Sequence, residues 1–296
     1  MRSRFHFGLL LLGSALFAHA ADSKSAACDR ECLRGFVTQY LNALIAHKPA
    51  DLPLAANVRF TEDTVEMKLG ASPLWTNAAR LRPYRLDILD TRQGVAAAQA
   101  IVEESGAPVM LMLRLKISSG KIAEVETQVT RNKTEGSLFN TDALKAPSGG
   151  MLWVPSDSQR NAREEAVRIA EFYPAGLKAG SFVTVDAPFA SDAYRFENGQ
   201  LMAGPGCTFR PDCADIKTQK IPKLSEVAYR VAAVDEDLGI VLLRLDFGAG
   251  SSRVAGDSLI VWEAFKVYGG QIHAVEVFMK NMPLGTPSGW DSAGSK

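Results

Sequence analysis

Histidine is scarce in this chain: four in 296 residues, at His6, His19, His47 and His273. A structural zinc site needs four convergent thiolates or imidazoles, so two histidines and four cysteines outside the leader argue against a metal. No G-x-S-x-G is present, which removes the usual nucleophile elbow. No phosphate-cradling or dinucleotide glycine loop follows a strand pattern, and GAGSS at 248–252 reads as a hairpin loop. No cofactor is therefore expected. Beyond the N-terminus no apolar run approaches the roughly 20 residues a membrane helix needs, so no membrane anchor is expected. Charge of one sign is lacking too, with 33 basic and 33 acidic residues. A nucleic-acid partner, which calls for a basic surface, is excluded on that balance.

What is present begins with a leader. Arg2 and Arg4 precede an apolar stretch from Phe7 to Phe17, and Ala18-His19-Ala20 fits a small-x-small cleavage rule. Residues 1–20 read as a signal peptide, and the mature chain is expected to be exported, periplasmic or extracellular. Losing Arg2 and Arg4 leaves it two negative charges in excess. In an exported chain the four cysteines are expected to form disulfides. Their spacing favours two local pairs, Cys28 with Cys32 and Cys207 with Cys213, although four cysteines allow three connectivities. The first pair requires the helix to begin after Cys28, because an i,i+4 pair inside a regular helix has poor disulfide geometry.

The residues 259–279, LIVWEAFKVYGGQIHAVEVFM, alternate apolar and other side chains about a Tyr268-Gly269-Gly270 turn. That is a β-hairpin pattern with a turn of about three residues. A near copy lies at 109–129, VMLMLRLKISSGKIAEVETQV, so the chain reads as an internal duplication. Each copy has the same order: a helix, a short hairpin, then antiparallel strands. Helices are predicted over 29–47, capped by Asp29, and over 158–178, where Pro174 should kink or end the regular part. Strands are predicted at 84–90, 95–103, 227–234 and 239–247. This gives an α+β fold of two tandem units, 28–131 and 158–290, joined by a linker at 132–157, with Pro283 to Trp290 folding back as a tail.

The order of elements resembles the nuclear transport factor 2-like superfamily, which includes the SnoaL-like and ketosteroid-isomerase-like proteins. The runs CDRECLRGFVTQYLNALIAHKPADLPLAANVRFTED, RFENG, EAFKVYGGQIHAVE and PLGTPSGW look like those of an exported bacterial and fungal family of unknown function. Ala193 stands where that family carries a cysteine. The resemblance implies a cone-shaped sheet whose mouth holds a small, partly apolar ligand, in units that pack as an internal pseudo-dimer, and it leaves room for a homo-oligomer. It implies no single activity, since isomerases, dehydratases, cyclases and binding modules share the fold.

Candidate chemistry gathers on the second hairpin. With a three-residue turn, Phe265 opposes His273, and Glu263 and His273 interrupt an otherwise apolar inner face as diagonal neighbours. The first copy has Leu113 and Ala123 there. A carboxyl and an imidazole in an apolar cone could act as acid and base. Glu263 and His273 are thus the candidate catalytic pair, and Tyr194, Arg195, Glu197 and Phe265 the candidate ligand contacts. Glu126 and Glu276 fall on the opposite face, expected either to pack the sheets together or to pair with Lys116 and Lys266. Two functions follow: a binding protein for a small, partly apolar ligand in the second cone, or a cofactor-independent lyase, dehydratase or isomerase.

Overall fold

The structure is a computed structural model and describes residues 28–287 and Trp290. The leader at 1–20 lies outside the described residues. Helix α1 (Arg30–Ile45) begins at Asp29, whose carboxylate accepts from Cys32 N at 2.9 Å. Its buried stripe, Leu33, Val37, Tyr40, Leu41 and Leu44, has the period of an amphipathic helix. Cys28 precedes that cap, and the Cys28–Cys32 disulfide forms with Cα atoms 5.3 Å apart. Removing the cap by Asp29→Ala is expected to cost about 1 kcal/mol, read as a fall in the midpoint of denaturant unfolding.

The first unit continues through β1 (Leu54–Glu62), β2 (Val65–Glu66), α2 (Pro73–Asn77), β3 (Ala78–Asp90), β4 (Val95–Glu104), β5 (Ala107–Ser118) and β6 (Lys121–Thr130). After a connection holding α3 (Gly149–Leu152), the second unit runs α4 (Arg163–Ala179), β7 (Phe189–Glu197), β8 (Gln200–Ala203), β9 (Ala228–Asp235), β10 (Ile240–Asp246), β11 (Asp257–Tyr268) and β12 (Gln271–Pro283). The two sheets have the same order, β2-β1-β6-β5-β4-β3 and β8-β7-β12-β11-β10-β9. Among the described residues only β1 with β6 and β7 with β12 are parallel. The expected α+β fold of two tandem helix-and-sheet units is what the chain adopts.

Pro174 neither ends nor shortens α4, which continues to Ala179 and closes at Gly180 in the left-handed conformation. The ring leaves the Ala170 carbonyl without its helical donor. In each unit the helix packs on the inner face of its sheet. Leu111, Leu113, Val125 and Val129 meet α1 in one core, and Val261, Phe265, Val275 and Val277 meet α4 in the other.

The outer faces of the sheets pack on each other. Leu86, Ile88, Ala97 and Met112 from the first meet Ala232, Leu242, Trp262 and Ala264 from the second. Tyr84 stacks on Phe278 with centroids 6.0 Å apart, and its hydroxyl donates to Glu276 Oε2 at 3.0 Å. Around this seam the polar contacts come in matched pairs. Asp90 accepts from Val234 N at 2.9 Å and pairs with Arg163 at the start of α4, at 2.6 Å. Asp235 accepts from Leu89 N at 3.0 Å and pairs with Arg30 at the start of α1, at 2.6 Å. Each acid thus covers a backbone N–H on the edge strand of the other unit, which would otherwise be left unpaired.

Glu126 and Glu276 do lie on these outer faces and help join the two sheets, Glu276 by accepting from Tyr84, rather than pairing with Lys116 and Lys266. Glu126 pairs with Arg230 across the seam. Lys266 is buried and donates to the carbonyls of Met151, Trp153 and Leu238, fastening α3 to the sheet. Burial lowers its pKa from 10.5 to about 8. The tail does return to the fold: Trp290 Nε1 donates to Thr61 Oγ1 at 2.9 Å, under the guanidinium of Arg59.

Candidate functional site: a cavity in the second unit

The β11–β12 turn has two residues, not three. Gly269 and Gly270 take φ values of +56° and +78°, and Tyr268 faces Gln271. Consecutive left-handed residues suit a tight hairpin, and glycine adopts them without strain. A bulge follows: Val267 faces Ile272, but Lys266 faces Ala274. His273 is the extra residue. The same bulge lies in the first unit, between Lys116 and Ile117 on β5, where Ala123 is extra. Gly94 and Gly239 sit against it, and a Cβ on Gly239 would come 2.4 Å from Val267 O.

The bulge corrects the expected catalytic pair. Phe265 faces Val275, Glu263 faces Val277, and Ile272 replaces His273 on the inner face. His273 instead stacks on Tyr268, centroids 3.5 Å apart, with Nε2 3.2 Å from Tyr268 O. Burial lowers its pKa. Tyr268 in turn lies against Trp153, so His273 belongs to an aromatic stack on the outer face. Glu263 and His273 are on opposite sides of the sheet.

Glu263 does face inward. It lines a cavity of about 640 Å³ enclosed by α4, β7, β11, β12 and the loop after β8. The walls include Leu177, Met202, Leu224, Phe247, Leu259, Val261, Val277 and Met279. Glu263 is 2 % exposed and its Oε2 has no hydrogen-bond partner. Desolvation raises its pKa well above 4.5, against the opposing pull of Arg195. A carboxylic acid held neutral carries an O–H that can donate.

Beside it Arg195 is almost wholly buried. Its Nε lies 2.7 Å from Glu197 Oε1, an ion pair whose angle is too bent for a hydrogen bond there. NH1 donates to Tyr173 Oη at 3.2 Å and NH2 to Gln219 Oε1 at 2.8 Å. Gln219 Nε2 then donates to Met202 O at 2.6 Å, fixing the amide orientation. Burial raises the Tyr173 pKa. Phe265 packs edge-on against the Tyr173 ring, centroids 5.1 Å apart, and supports the wall from behind.

Of the candidate contacts, Arg195 and Glu197 line the cavity. Tyr194 does not. Alternation along β7 turns it outward, where its hydroxyl meets Ser148 Oγ and its ring meets Phe196. Tyr173 and Gln219 were not predicted. Tyr173 reads as core in a helical stripe, and Gln219 lies in irregular chain with no period to mark it. The Cys207–Cys213 disulfide does form, with Cα atoms 5.7 Å apart, and its loop places Phe209 and Arg210 at the cavity.

The first unit shows why a cavity is found here. Tyr40 sits on α1 four residues before a buried leucine, as Tyr173 does on α4. Trp75 occupies the space beside it, 1 % exposed, with Nε1 donating to Tyr40 Oη at 3.0 Å. The second unit has the Cys207–Cys213 loop in place of that tryptophan. Among the described residues, no group of three His, Cys, Asp or Glu side chains could hold a metal ion, and no helix is long and apolar enough to cross a membrane.

Residues 159–279 match the model of a family described as a domain of unknown function (DUF8021). No curated protein matches the chain. Among solved structures, a de novo designed protein with a curved β-sheet is 20 % identical and matches over 34 % of this chain and 88 % of its own, with a TM-score of 0.30. A protein assigned as a ketosteroid isomerase from Kribbella flavida is 14 % identical over 42 % of this chain and 91 % of its own, TM-score 0.25. An NTF2-like protein of unknown function from Shewanella baltica is 16 % identical over 40 % of this chain and 93 % of its own, TM-score 0.27.

Proposed function

We propose that this is an exported protein that binds a small, partly apolar ligand in the cavity of its second unit. The observation that carries the reading is the cavity itself: about 640 Å³, walled mainly by apolar side chains, with one buried and unpartnered carboxyl oxygen on Glu263. Small-molecule sites have this size and combine an apolar lining with polar groups that fix orientation. A neutral Glu263 would donate to an oxygen of the ligand. The two disulfides suit an oxidising compartment.

N-phenyl-1-naphthylamine, a neutral apolar fluorophore, should brighten on binding. Leu259→Trp, which fills the cavity from its wall, should weaken that binding at least about tenfold with the melting temperature kept. Equal binding by the variant would overturn the assignment of the cavity. Sequencing the N-terminus of the exported protein should find Ala21 first.

A second reading rests on the pair of carboxyls. Burial pushes the Glu263 pKa well above the usual carboxylate range while Glu197 is ion-paired with Arg195. Two carboxyls kept in different states can divide acid and base roles. In this reading the chain is a cofactor-independent lyase, dehydratase or isomerase with Glu263 as the acid, and His273 takes no part.

A further inference from the structure

The cavity wall carries an imbalance of charge that the whole chain does not. It includes four cations, Lys133, Arg195, Arg210 and Arg253, and two carboxyls, Glu197 and Glu263. Of the carboxyls, Glu263 is buried, which pushes its pKa well above the usual carboxylate range, and Glu197 is matched by Arg195. Arg210 lies 2.9 Å from Asp212. Lys133 and Arg253 are exposed at the mouth and form no ion pair among the described residues.

These two cations are held at one edge of the mouth. Asn281 Nδ2 donates to Thr134 O at 2.9 Å, and its Oδ1 accepts from Ser252 Oγ at 2.9 Å. Lys133 and Arg253 are the chain neighbours of those two residues, one from the segment after β6 and one from the β10–β11 connection. Exposed Phe209 and Val254 add an apolar lip. Low-dielectric walls below such a rim concentrate its field on whatever enters.

We infer that the ligand is an amphipathic organic anion, with its apolar body in the cavity and its charged group at the rim beside Lys133 and Arg253. This rests on the cavity being a ligand site. The buried Glu263 oxygen without a partner is the independent sign that a ligand belongs there.

Two probes with the same arylnaphthylamine body separate the questions. N-phenyl-1-naphthylamine is neutral, and 1-anilinonaphthalene-8-sulfonate carries an anion. In low salt the sulfonate should bind about tenfold more tightly than the neutral probe. Raising the salt to about 0.5 M should shrink that ratio, since exposed charges are screened. The double variant Lys133→Ser, Arg253→Ser should bring it close to one. Equal affinities in the wild type, or a ratio untouched by the double variant, would overturn the anion inference while leaving the cavity reading intact. Binding of neither probe, or sulfonate binding that persists in Leu259→Trp, would overturn both.

Discussion

Replacing Asp235 with alanine is expected to destabilise the chain by about 3–5 kcal/mol, the usual cost of breaking a buried ion pair from one side. Asp235 is fully buried and accepts three hydrogen bonds, from Arg30, Leu89 N and Leu238 N. Alanine fills none of these roles. It strands two backbone amides away from water and leaves Arg30 with only Asp237, 3.5 Å away and more exposed. Asparagine should cost less, because it keeps an acceptor for one amide. Asp90→Ala should behave like Asp235→Ala, since it strands Val234 N and leaves Arg163 with Glu236, 3.5 Å away. Denaturant unfolding measures the effect. A loss under about 1 kcal/mol for both alanine variants would show that the seam between the sheets does not depend on these acids.

Glu263→Gln separates the two functional readings and has the larger effect on activity. Glutamine keeps the shape and a donor, so binding of N-phenyl-1-naphthylamine should survive. It cannot release a proton, so turnover by an acid at this position should fall by about 10²–10⁴. The same variant also tests the protonation state. The Glu263 pKa is raised in the folded chain by burial. Below the unfolded carboxyl value both states hold the proton, and the full stability is present. As pH rises from the unfolded value toward the folded one, the unfolded chain ionises this carboxyl freely while the folded chain keeps its proton, so stability falls across that window. Glutamine removes that fall. Its melting temperature should match the wild type near pH 4 and exceed it at pH 7–8. A wild-type advantage at neutral pH would mean that Glu263 is ionised and usefully paired.

The inner and outer faces of the second hairpin were legible because alternation is a strict two-residue period. Val261, Phe265, Val275 and Val277 all fall where that period puts them. The exception came from one inserted residue. A bulge at His273 leaves no mark in the pattern of apolar positions, and it breaks the count only between Ile272 and Ala274. The aligned copy could not warn of it, because the first unit carries the same bulge at Ala123. Arg195 and Glu197 were found because a short strand before an Asn-Gly turn fixes their side. Tyr194, one position away, was a candidate contact too, but alternation along the strand turns it outward. Gln219 reaches the site from a stretch without regular structure, where only the folded chain defines what is near.

Fusing two such units also changes the arithmetic of their association. A short tether holds them at an effective concentration in the millimolar range. An interface of this kind therefore stays closed without being strong, and it never dissociates into identical halves. Symmetry is then required only along the seam, where Asp90 and Asp235 answer each other. Away from the seam each unit is free to diverge: one fills its floor with Trp75, and the other forms a cavity there.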